Sequence, residues 1–307
     1  MQRRRRSVKK ERAVPRILLC APASGSGKTL ITCGILQALV NRGKKVASFK
    51  CGPDYIDPMF HGRVIGTKSR NLDTFFTGDK TTAELFMASA KNADISVMEG
   101  VMGLYDGLGG IRKEGSAYDL ATVTDTPVIL VIDATEGVTE QDAKIAGIAH
   151  DRGKGIIVAV NKWDAIEKND KTIYEFTKKI KDTLSFMQYA EMVFISAVTG
   201  QRMNKMFELI DMVRENQTMR IATGVLNEIM TEAVAMQQPP SDKGKRLKLY
   251  YMTQVAVKPP TFVIFVNDKE LMHFSYVRYL ENRIRESFGF KGTALKFLIR
   301  ERNGKEE

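Results

Sequence analysis

The 307-residue chain has little of what staples or tethers a fold. Its three cysteines, Cys20, Cys33 and Cys51, form no CxxC pair and have no metal-ligand spacing. That excludes a disulfide framework and leaves reduced, partly buried thiols of a cytosolic fold as the expectation. No apolar stretch approaches the length that crosses a bilayer. The run Ile17–Ala21, behind a basic start, is too short for a signal peptide. No membrane partner and a cytoplasmic location are therefore expected. There is no internal repeat, and the N-terminal basic run is the one low-complexity tract. The single tryptophan, Trp163, is expected to pack rather than to catalyse.

What is present suits a packed α/β protein. Hydrophobic residues make up 43% of the chain, enough for a core. The formal net charge is +11 and sits at the ends. Residues 1–12 carry seven basic side chains and one Glu, a net of +6, and residues 214–307 carry sixteen basic and eleven acidic, a net of +5. Residues 13–213 are thus neutral, which fits a catalytic or switch domain meeting a polyanion through its flanks. The bland alternative for Arg3–Arg6, Lys9, Lys10 and Arg12 is a solubilising tail.

Apolar periodicity predicts strands over Arg16–Ala21, Lys45–Phe49, Ile95–Met98, Pro127–Ile132, Ile156–Val160 and Met192–Ile195. Helices are expected over Thr29–Arg42, Glu140–Arg152, Lys171–Ser185 and Lys205–Asn216. The alternation predicts a doubly wound, mostly parallel sheet. After about residue 217 the pattern becomes a small α+β module. It has a helix Ile221–Gln237, strands Lys248–Ala256 and Phe262–Val266, a helix His273–Phe288 and a strand Ala294–Arg300. The expected division is a basic tail over 1–15, a nucleotide-binding domain over 16–216 and the small module over 217–303.

Ala23-Ser-Gly-Ser-Gly-Lys-Thr29 lies between a strand and a helix, the context of a phosphate-binding loop. Gly25 and Gly27 let the amides of the Ser24–Gly27 stretch, Ser26 included, turn around an anion, and the following helix points its positive end the same way. Lys28 is expected on the outer phosphates, in a catalytic role, and Thr29 on Mg²⁺. Pro22 stands where the strict motif has its first glycine. Further on, Ile157-Val-Ala-Val-Asn-Lys-Trp-Asp164 ends an apolar strand in N-K-x-D. Asp164 can accept from both N1–H and the 2-amine of guanine, whereas adenine would leave it unpaired. Lys162 can lay its stem on the base and Asn161 brace the loop. Ser196-Ala197 ends another strand, with the Ala197 amide expected on O6.

Two family resemblances rest on these segments. Residues from about 16 to 130 resemble the synthetase half of cobyrinic acid a,c-diamide synthase, through Ala21–Thr29, Lys50-Cys-Gly-Pro-Asp-Tyr-Ile-Asp-Pro58, Asn71-Leu-Asp-Thr74 and Glu99-Gly-Val-Met-Gly-Leu-Tyr-Asp-Gly107. That family uses ATP and Mg²⁺ to activate a carboxylate of a corrin precursor for amidation. The resemblance implies metal or substrate roles for Asp54, Asp57, Glu99 and Asp106, with Thr29, Asp54 and Glu99 as metal candidates. Glu99, which ends an apolar strand, is also a catalytic candidate. Asp57 and Asp73 are substrate candidates whose alternative is a turn or cap role. Residues from about 131 to 303 resemble the end of the Der (EngA) GTPase, the second half of its second G domain plus the KH-like domain. Asp133-Ala-Thr-Glu-Gly-Val-Thr-Glu-Gln-Asp142, Asn161–Asp164, Ser196-Ala197 and Lys258-Pro-Pro-Thr-Phe262 carry it. This implies a ribosome-assembly GTPase whose KH-like part meets rRNA or a ribosomal subunit. The basic turn Lys243, Lys245, Arg246, Lys248 is a phosphate-contact candidate. Gly289-Phe-Lys-Gly292 reads as a plain turn, since it joins a helix to a strand and not two helices.

The resemblances meet at a seam near residues 127–134, as in a chimera. Nothing in the chain resembles the glutamine-using half of the first family or the second family's own phosphate loop, switch region and D-x-x-G. Three functions follow. One is a GTP- and Mg²⁺-binding, Der-like ribosome-assembly protein, a possible GTP hydrolase. The second is an ATP-dependent, ammonia-using amide ligase acting on a corrinoid precursor. The third is a non-catalytic RNA-binding protein.

Overall fold

The computed structural model describes residues 14–103, 107, 115–242 and 244–302. By backbone contacts these fall into two units: residues 14–19, 29–101, 107 and 115–126 form one, and residues 20–28, 102–103, 127–242 and 244–302 the other.

The first unit holds β1 (Arg16–Cys20), most of α1 (Lys28–Asn41), β2 (Val46–Cys51), α2 (Ile56–Arg63), β3 (Lys68–Leu72), α3 (Thr74–Ala90), β4 (Ile95–Glu99) and α4 (Ala117–Val123). Its strands are parallel and ordered β3-β2-β4-β1. All six positions of β2 are buried, as expected of a strand covered on both faces. Four elements here were not anticipated: α2, β3, α3 and α4. The helix α3 begins at Asp73, whose carboxylate accepts from the Phe75 and Phe76 amides. Asp73 thus takes the helix-cap role weighed for it.

The second unit continues with β5 (Val128–Asp133), α5 (Glu140–Asp151), β6 (Ile156–Asn161), α6 (Thr172–Thr183), β7 (Glu191–Phe194) and α7 (Met203–Thr218). Its strands β5-β6-β7 are parallel, with Asp133 opposite Asn161 and Val160 opposite Phe194. Every residue of β5 and β6 is buried. Trp163 packs between Phe194 and Phe176 at ring distances of 4.5 and 5.1 Å, as its apolar ring predicts. The same unit carries α8 (Thr223–Met236), a two-residue pair β8 (Ser241–Asp242) and β9 (Lys245–Arg246), β10 (Leu249–Ala256), β11 (Thr261–Val266), α9 (Phe274–Phe288) and β12 (Lys296–Glu301). The sheet β10-β11-β12 is antiparallel, then parallel, and its inner face packs on α8 and α9 through Met252, Phe262, Ile264, Leu226, Met230, Leu280 and Ile284.

The architecture is thus the expected one: parallel α/β strands of the P-loop class followed by a small α+β module. Among the described residues no helix is long and apolar enough to cross a membrane. The three cysteines are unpaired, and burial pushes the Cys33 thiol up to about 11 and that of Cys51 to about 12.

Candidate functional site

Two groups of polar residues stand out, one in each unit. In the second unit the phosphate loop and the base-reading segments meet through one side chain. Gly25 and Gly27 have φ of 85° and 90°, a backbone region that only glycine enters cheaply. The Asn161 amide donates from Nδ2 to the Ser26 carbonyl at 3.0 Å, and its Oδ1 accepts from the Ala197 amide at 3.1 Å. Asn161 is buried because β6 ends there, so both bonds form away from water and are correspondingly costly to lose. The Ile195 amide bonds the Val160 carbonyl and the Trp163 amide the Ile195 carbonyl, which fixes the ends of β6 and β7 against each other. Ser196 hydrogen-bonds the exposed Asp164 carboxylate and holds it below the usual carboxylate range. The Lys28 ammonium reaches the Ala23 carbonyl at 2.8 Å, inside its own loop.

Two expected details differ. The Ala197 amide, expected on guanine O6, is engaged by Asn161. Lys162, expected along a base, takes a left-handed backbone with φ of 60° and pairs with Asp133 at 2.5 Å. Burial pushes the Asp133 carboxyl up, but hydrogen bonds from Lys162 and Thr135 more than offset it, so the net direction is down. The sequence signal for Asp133 is an acidic residue ending a wholly apolar strand.

In the first unit Lys50 gathers the carboxylates. Its ammonium lies 2.5 Å from Asp57, 2.7 Å from Glu99 and 3.8 Å from Asp54. Burial lowers the Lys50 pKa, yet Glu99 and Asp57 together raise it above its ordinary value, so the ammonium stays charged. Glu99 also accepts a short hydrogen bond from the Thr29 hydroxyl. Its carboxyl is raised by burial, against the pull of Lys50 and Thr29. Glu99 Oε2 is buried without a hydrogen-bond partner and lies 4.0 Å from Nε2 of His61, whose two ring nitrogens are buried without partners as well. Two of the three expected metal candidates come together. Thr29 and Glu99 meet, whereas Asp54 caps the start of α2 by accepting from the Ile56 and Asp57 amides. Among the described residues no group of three His, Cys, Asp or Glu is arranged to hold a metal ion. Lys50 and His61 were missed because what brings them together is Glu99, 49 residues beyond Lys50 and 4.0 Å from His61 Nε2.

The geometry fits a nucleotide and a metal with few protein ligands. An added Cβ at Gly27 would lie 2.3 Å from the Asn161 amide nitrogen, so the loop is a cradle that a side chain would fill. Glu99, whose Oε1 accepts from Thr29 and whose Oε2 has no hydrogen-bond partner, suits Mg²⁺, which takes one or two protein oxygens and completes its shell with water and phosphate.

Of the basic-turn candidates, Lys245, Arg246 and Lys248 are exposed. Asn267 pins that turn, donating to the Arg246 carbonyl at 3.0 Å and accepting from the Lys248 amide at 2.7 Å. Lys243, Asp106 and the basic run of residues 1–12 lie outside the described residues.

Comparison with known proteins follows this division. A family described as "KH-domain-like of EngA bacterial GTPase enzymes, C-terminal" matches residues 220–300. One described as "Elongation factor Tu GTP binding domain" matches residues 118–216. GTPase Der of Lachnospira eligens is 79% identical over 178 residues, covering 58% of this chain and 40% of that protein. GTPase Der of Agathobacter rectalis is 76% identical over 196 residues, 64% of this chain and 44% of the other. The chain therefore spans about two fifths of the length of these relatives. GTPase Der of Geobacillus kaustophilus is 44% identical over 294 residues, 92% of this chain and 67% of that protein, an alignment that runs through residues 127–134. With a relative matched over two thirds of its length, and with the phosphate loop, N-K-W-D and S-A segments in place, the chain belongs to the GTPase Der family.

Proposed function

We propose that this chain binds GTP with Mg²⁺ and engages rRNA or a ribosomal subunit through residues 217–302, as part of a cytoplasmic ribosome-assembly GTPase. The observation that carries it is the Asn161 side chain, which bonds the phosphate loop at Ser26 and the base-reading segment at Ala197. In that frame the loop amides and Lys28 bind phosphate, and Asp164 selects guanine. Swinging Lys28 from the Ala23 carbonyl to a phosphate exchanges a neutral acceptor for a charged one, which favours the bound state. Thr29 and Glu99 are the residues that would hold Mg²⁺, which when bound neutralises phosphate charge.

The test is a titration of labelled GTP and ATP, each with Mg²⁺. GTP is expected to bind at least about tenfold more tightly, since an unpaired, desolvated Asp164 opposite adenine costs roughly 1–3 kcal/mol. Lys28→Ala should lose most of the affinity, and Asp164→Asn should move the preference toward xanthine nucleotide. Equal affinity for GTP and ATP would remove the base-reading argument.

A second reading is favoured by one specific observation, the buried Lys50–Asp57–Glu99 cluster beside Thr29. On this reading residues 16–130 are a chimeric ATP-dependent ligase part related to cobyrinic acid a,c-diamide synthase, with Asp57 facing a corrinoid precursor. It requires phosphate release from ATP that rises when cobyrinic acid and ammonia are added, and a flat response rejects it.

A further inference from the structure

The small α+β module has a sheet face turned away from its core: its centre is closed, with Val263 buried and Thr253 hydrogen-bonded to Thr223 of α8, while Tyr251, Lys296, Leu298 and Arg300 around that centre are exposed. Along β10, β11 and β12 one set of side chains enters the core with α8 and α9. The alternate set points the other way, and the register lines it up in rows. Tyr251 pairs with Phe265, and Phe265 with Arg300; Thr253 pairs with Val263, and Val263 with Leu298; Thr261 pairs with Lys296. The Tyr251 and Phe265 rings are stacked, with centroids 4.3 Å apart and planes within 14°. Tyr251 is 39% exposed; Tyr250, at the break in register between Leu249 and Tyr251 where the alternation is interrupted, is 42% exposed, with Arg302 over its ring at 5.4 Å. Lys296, Arg300 and Arg302 are exposed, and none of the described residues in these rows is acidic.

Flat aromatic faces interleaved with cations, and no carboxylate, complement a polyanion that carries flat bases. A duplex hides its bases and is met through phosphates and shape, whereas unpaired bases can be splayed out and stacked on aromatic rings. We propose that this sheet face binds single-stranded RNA. Unpaired bases stack on Tyr251 and Tyr250, and Arg300, Arg302 and Lys296 take the phosphates. The proposal rests on the RNA-engaging reading above and goes further by naming the surface and the class of RNA. It places recognition on the sheet, with the exposed turn of Lys245, Arg246 and Lys248 as a flanking contact.

The test uses the full chain, a fluorescein-labelled twelve-nucleotide oligouridine and an RNA hairpin of equal paired length. Tyr251→Ala is expected to weaken the single strand about tenfold, the loss typical of removing one stacking partner. Tyr251→Phe should bind as the parent does, and the hairpin should respond little. Arg300→Ala should lower the salt slope of oligouridine binding by about 0.7, one phosphate contact on a single strand. Unchanged thermal midpoints and GTP affinity in each variant separate loss of this surface from unfolding. If Tyr251→Ala and Arg300→Ala bind oligouridine as the parent does while the combined Lys245→Ala, Arg246→Ala, Lys248→Ala variant is weakened, RNA docks at the turn and this proposal fails alone. If the parent binds neither RNA, the RNA-engaging reading fails with it, and the face is left to a protein partner.

Discussion

Asn161 illustrates how much a single residue decides. It is the first position of N-K-W-D, and its two bonds close a frame around Ser26 and Ala197. Gly27 has no room for a side chain against it, and its φ of 90° adds strain of roughly 1–2 kcal/mol for any L-residue. Gly27→Ala should therefore weaken GTP binding by about tenfold or more and lower the thermal midpoint, both read on the purified chain. An unchanged affinity would mean that the loop does not cradle phosphate. Asp133 makes a second residue-scale case. Its carboxyl lies below the usual 3.8, so its contribution to stability is complete above that value and is lost as pH falls through the lowered one. Thermal midpoints of the parent should drop as pH falls below the usual carboxylate value of 3.8, and Asp133→Asn should flatten part of that slope. The polar residues that motifs name, Lys28, Asn161 and Asp164, were legible. Those that act through distant partners, Lys50, His61 and Asp133, were not, because no local pattern encodes a contact across strands.

At the scale of elements, the strands buried on both faces were read nearly to their ends, since β5 and β6 are apolar up to their last residue, β1 is apolar after Arg16, and β2 and β4 keep mostly apolar cores around Ser48 and Ser96. The segment from residue 56 to 90 was not. The edge strand β3, Lys-Ser-Arg-Asn-Leu, buries one residue of five fully and shows no apolar alternation. Helix α2 leaves Ile56, Met59 and Phe60 exposed, and α3 is interrupted at Gly78, whose φ is 69°. Neither presents the periodic stripe by which an amphipathic helix is recognised. What the sequence did carry was the punctuation. Asp73 satisfies two orphan amides at the start of α3, and a cap of this kind contributes about 1 kcal/mol. Asp73→Ala should lower the urea midpoint accordingly and leave GTP affinity unchanged, whereas loss of nucleotide binding would restore a ligand role for Asp73.

For the chain as a whole, the loop Gly289–Gly292 matters more than its G-x-x-G spelling suggests. Gly289 ends α9 with φ of 82°, and the loop carries a joint between the α+β module and the strands of the same unit. The Gly292 amide donates to the Tyr189 carbonyl at 2.7 Å, and its carbonyl accepts from the Ile156 amide at 2.9 Å. Arg285 lies over the Tyr189 ring at 4.4 Å and donates to the Phe290 and Thr293 carbonyls, so the helix, the loop and the segment leading into β7 are tied together. A loop spent on such bonds is a structural turn, in keeping with its place between a helix and a strand. A Cβ at Gly292 would lie 2.2 Å from a Val213 methyl on α7, with φ of 71° adding backbone strain. Gly292→Ala should cost about 2–3 kcal/mol, read by urea unfolding on the fluorescence of the buried Trp163. Val213→Ala removes the clashing methyl, so the double variant should be more stable than the sum of the two single losses predicts, by at least about 0.5 kcal/mol. Additive losses would show that the joint does not pack through this contact, and that α7 and the loop are held independently.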